Sequence, residues 1–137
     1  MLHRHRPAAH AVAHEVFAVA AAEGVTLEPF DAFEPSAYAD GADPGKSASA
    51  TDRLVAWLRT QTKTRSGIWR DIAVRRRPTE VPTQYGPVVA AAERHGVDVP
   101  VLRLLLGQLA EVQADASSMS ESRIDLLDAA AAKGTVR

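Results

Sequence analysis

TRSGIWRDIAVRRRPTEVPTQYGPVVAAAERHGVDVP, residues 64–100, decides the reading of this chain. Ser66-Gly67 breaks the pattern before it and reads as a turn. Ile68 to Arg76 then reads as a short helix with Ile68, Ile72 and Arg75 in register. Pro78 ends it, because the residue before a proline is pushed out of the helical region. The next helix runs from Pro82 to His95 on an apolar face of Val88, Val89 and Ala92, and Gly96 closes it. Pro100 opens another, with Leu102, Leu105, Leu109 and Val112 at helical spacing.

The same periodicity extends in both directions. Residues 8–23 read as a helix on Val12, Val16 and Val19, with Pro7 in its first turn and Gly24 beyond its end. Residues 25–48 hold Pro29, Pro35, Gly41, Pro44 and Gly45 and read as a long connection, pinned by Phe30, Phe33 and Tyr38. Residues 51–63 read as a helix with Leu54, Val55 and Leu58 on one face, capped by Thr51 or Asp52. Ser118-Met-Ser-Glu121 has the form of a capping box for a last helix through Ile124, Leu127 and Ala131. No stretch alternates with period two, so the expected fold is all-α.

Composition narrows the function. The 137 residues suit a single globular body. Aromatics are only 5% and alanine dominates the apolar fraction, which favours close-packed helices over a β-sandwich. The net charge of −1 argues against a nucleic-acid partner. No apolar run approaches the ~20 residues of a membrane span. Cysteine is absent, which excludes disulfide and thiolate chemistry and is compatible with a reducing cytoplasm.

Three local patterns carry chemistry less well than they first suggest. Gly41-Ala-Asp-Pro-Gly45-Lys46-Ser47 is one residue short of a P-loop and follows no strand. His10 and His14 share a helix face but have no evident third ligand, and His3 and His5 fall in a stretch expected to fray, so no metal site is expected. Residues 59–80 carry seven Lys or Arg against Asp71 and Glu80, which reads first as a solvated face and second as a contact for a phosphate or an acidic partner.

The ordered set Ser66, Asp71, Arg77, Pro78, Thr79, Glu80, Gly86, Gly96 and Pro100 resembles the C-terminal helical domain of the ketopantoate reductases, or 2-dehydropantoate 2-reductases. The resemblance covers about Ala8 to Val112, including the helix of Glu15 that ends at Gly24. It implies the helical domain shared with 6-phosphogluconate dehydrogenases over residues 8–114. Residues 115–137 would form a C-terminal extension with one helix. It also implies a cytoplasmic oxidoreductase of pantothenate biosynthesis, in which NADPH gives a hydride to a small 2-oxo acid. Glu80 would contact the cofactor and Ser66 the substrate. A carboxylate suits ribose hydroxyls because it accepts their hydrogen bonds.

The departures are as specific as the match. No two glycines stand two residues apart, so there is no G-x-G-x-x-G dinucleotide loop. The family's general acid is a Lys on the helix that opens the domain, with Asn residues nearby. This chain has only Lys46, Lys63 and Lys133, none in that place, and no Asn. Asp71 to Glu80 is one residue longer than the commonest family spacing, which shifts Ser66. Pro82 replaces a usual Asp, and Tyr85 stands where an Asn is frequent. The expectation is therefore a truncated or split domain with no catalytic residue of its own, inactive alone, that self-associates or pairs with a Rossmann-type partner. The alternative is a non-catalytic helical interaction or small-ligand-binding module.

Overall fold

A computed structural model describes residues 2–62 and 65–134. Six α-helices form among them: α1 (Arg6–Ala22), α2 (Pro44–Thr60), α3 (Gly67–Ala73), α4 (Val81–His95), α5 (Pro100–Ala114) and α6 (Ser122–Gly134). Short 3₁₀ turns cover Pro35–Tyr38 and Ala116–Ser118.

α1 is the centre of the packing and touches α4, α5, α6 and the first 3₁₀ turn. Val19, Ala91, Ala92, Val99 and Leu102 join α1, α4 and the start of α5 in one cluster. Ala8, Val101, Leu127 and Ala131 join α1, α5 and α6 in a second. Ala37, Tyr38 and Ala50, with Phe17 and Phe33 against them, fasten the long connection and α2 to α1. Small residues at these contacts let the helices approach closely, which is the structural use of the alanine content.

Two buried helix starts are capped from other helices. Val99 gives α5 no side-chain cap. Buried Glu15 on α1 supplies it, accepting from the Val101 N–H at 2.9 Å and the Leu102 N–H at 2.7 Å. The first N–H groups of a helix lack intrahelical acceptors, and the dipole there favours a carboxylate. Asp128 on α6 does the same for α1, accepting from the Ala8 N–H at 2.9 Å.

Several boundaries differ from the sequence reading. α2 begins at Pro44, not at residue 51, because Asp43 accepts from the Lys46 N–H at 2.9 Å and Pro44 is tolerated in a first helical turn. Thr51 is not a cap. It lies buried mid-helix, where its hydroxyl meets Tyr38 Oη at 3.1 Å and His10 Nε2 at 2.7 Å. Phe33 stacks on Tyr38 and pins the connection, whereas Phe30 is 73% exposed and does not. The capping box at Ser118 does not form. Ser118 ends a 3₁₀ turn, and Ser120 Oγ accepts instead from the Ser122 N–H. The N-terminal stretch is tied down rather than frayed, since buried His5 contacts Asp128 and Glu121. Asp128, reinforced by Glu121 and opposed by burial, raises the His5 pKa above its ordinary value.

Candidate functional site

Ser66 and Glu80 stand at the N-terminal ends of α3 and α4. Both are exposed, and no hydrogen bond joins them among the described residues. Ser66 caps α3, its Oγ accepting from the Trp69 N–H at 3.1 Å. That is the ordinary structural use of a serine here, and it leaves the hydroxyl proton free to donate. Glu80 precedes Val81 with helical backbone angles and makes no capping bond. Its carboxylate has no hydrogen-bond or ion-pair partner among the described residues.

The Thr79-Glu80 step is held from behind by α5. The Thr79 N–H donates to Gln113 Oε1 at 2.7 Å. Thr79 itself is buried, and its Oγ1 finds no protein partner among the described residues. Gln113 therefore positions the step that presents Glu80. No sequence signal pointed to it, because a lone Gln near a helix end has no characteristic spacing.

The basic stretch resolves into separate contacts. Asp71 accepts from Arg75 Nη1 at 2.7 Å and from Arg77 Nε at 3.0 Å. Arg75 first, then Arg77, hold the Asp71 pKa below its ordinary value, opposed by desolvation. Arg65 lies over the Trp69 ring, 4.8 Å from its centroid. Arg59, Arg70 and Arg76 are exposed. Arg76 has φ of +49°, in the left-handed region, and turns the chain between α3 and Pro78. Lys63 lies outside the described residues.

Two open clefts of about 320 and 440 Å³ lie beside α2, and neither is lined by Ser66 or Glu80. His10 and His14 both border the smaller one. His10 is engaged by Thr51, and burial lowers its pKa, with Arg6 adding to the effect. His14 is exposed, with Asp40 at 3.6 Å.

The helical order, the Thr-Glu step at the start of α4 and the left-handed Gly96 at its end reproduce the arrangement that residues 64–100 resemble. The family model described as ketopantoate reductase PanE/ApbA C terminal matches residues 2–113. The chain belongs to this family. No curated protein and no solved structure matches it. The matched span takes in α1 to α5 and stops one residue short of the end of α5, so α6 lies outside the ketopantoate reductase match. Among the described residues, no helix is long and apolar enough to cross a membrane.

Proposed function

We propose that this chain is the substrate-side helical domain of a ketopantoate reductase-type oxidoreductase, which uses NADPH to reduce a small 2-oxo acid. The observation that carries the reading is the family match over residues 2–113, with Glu80 left unpartnered and exposed at the start of α4. Glu80 would accept hydrogen bonds from the cofactor, and the free proton of Ser66 would serve the substrate. The residues here fit a supporting contact to NADPH and not its main cradle, since the chain has no glycine-rich dinucleotide loop. That loop and the proton donor would come from residues outside this sequence, on another domain or another chain.

The test is an NADPH oxidation assay with ketopantoate. The isolated 137-residue chain should give no turnover above blank, and its complex with a nucleotide-binding domain of the family should turn over. Turnover by the isolated chain, or none by a well-formed complex, would contradict the reading.

Val25, Leu27 and Phe30 favour a second reading, as they leave apolar side chains exposed on one connection. A helical interaction module that associates with itself through this stretch would use them. Sedimentation showing a concentration-dependent dimer that Phe30→Ser abolishes would support it, and a strict monomer would not.

A further inference from the structure

Outside the matched span, α6 and the residue before it carry three carboxylates to the start of α1. His5 Nδ1 lies 2.7 Å from Asp128 Oδ2 and 3.8 Å from Asp125 Oδ1. Its Nε2 lies 3.3 Å from Glu121 Oε1. One ligand atom each from His5, Asp125 and Asp128 falls within 4.8 Å of the others. The two aspartates are three residues apart on α6 and so share a face.

Three features suit this cluster to a metal. A tetrahedral zinc with bonds of 2.0–2.2 Å sets its ligand atoms about 3.4 Å apart, between the two His5–Asp distances. Asp125 is exposed and can swing to close the longer one. The remaining ligands already have the partners that orient metal ligands. An Nε2–H pointing at Glu121 fixes the tautomer that turns the Nδ1 lone pair toward the aspartates. The Ala8 N–H holds the other oxygen of Asp128.

Charge adds a second argument. A neutral imidazole carries one N–H, yet both ring nitrogens of His5 face carboxylates. The ring meets both either as an imidazolium that donates from each nitrogen, or as a neutral ring whose Nδ1 proton a cation replaces on the aspartate side. Arg4 pairs with Glu121 on the outer side, away from the two aspartates. One nitrogen and two oxygen ligands suit zinc-like transition ions better than calcium or magnesium, which take oxygen.

We propose that His5 Nδ1, Asp125 and Asp128 bind a divalent transition cation that staples α6 to the start of α1, with solvent completing the shell. Such a site joins the matched helices to the one helix outside the match.

The test is calorimetric titration of ZnCl₂ into the full chain, with Co²⁺ absorption reporting coordination geometry. Asp125→Asn is the informative variant, because Asp125 is 70% exposed and touches only the rim of the core through His5, so the chain should fold without it. One zinc per chain is expected, with a rise in Tm on loading. Asp125→Asn should weaken binding at least about tenfold while leaving the metal-free Tm unchanged. His14→Gln should bind as the wild type does. No binding tighter than about 1 mM would overturn the proposal. So would equal affinity in Asp125→Asn, or loss of binding in His14→Gln.

Discussion

Glu15 shows how much one buried side chain can decide. Its two oxygens take the Val101 and Leu102 N–H groups, and the N-cap residue Val99 makes no side-chain cap. Glu15→Gln keeps the size but turns one oxygen into an NH₂ group facing a donor. Losing one charge-assisted bond should cost on the order of 1.5–3 kcal/mol in urea unfolding, whereas a loss below about 0.5 kcal/mol would show that water caps α5 equally well. In the sequence Glu15 stands out only through the family resemblance of its helix, with no sign of what it caps. Its partners are more than eighty residues away, and spacing on one helix says nothing of that. The same limit hid Gln113 behind Thr79 and the carboxylates around His5.

The helices themselves were largely legible. Their apolar periods and the closing Gly24 and Gly96 are local signals, and both glycines adopt the left-handed conformation expected of them. The start of α2 was not, because Pro44-Gly45 serves equally in a loop or a first turn and only the Asp43 cap decides. At the end of α3, Asp71 gathers Arg75 and Arg77, and this tie should titrate. The folded pKa of Asp71 is depressed below its ordinary value of 3.8. Its contribution is therefore present above that value and fades as pH falls through the lower, folded one. Asp71→Asn should lower Tm slightly at neutral pH, and this difference should shrink as pH falls below 3.8 through the lower folded pKa. A constant gap between the two proteins across the acid range would contradict the ion-pair account.

At the scale of the whole molecule, the question is whether α6 is appended or integral. Leu127 and Ala131 are buried against Ala8 and Val101, and Asp128 caps α1, so α6 belongs to the same core as the matched helices. Leu127→Ala should cost about 2–4 kcal/mol in a single cooperative transition. A loss below about 0.5 kcal/mol, or separate melting of the C-terminal region, would make residues 115–137 a dispensable tail. The sequence set that stretch apart only because the family pattern stops before it.

The functional account meets its most direct test at Glu80. The measurement is a titration of NADPH into complexes of a family nucleotide-binding domain with the wild-type chain and with Glu80→Gln. The variant should bind about 10–100-fold more weakly, as expected for one lost charge-assisted hydrogen bond. Its own stability should change by less than about 1 kcal/mol, because Glu80 is exposed and unpaired. Unchanged NADPH affinity together with a clear loss of stability would show that Glu80 serves the helix and not the cofactor.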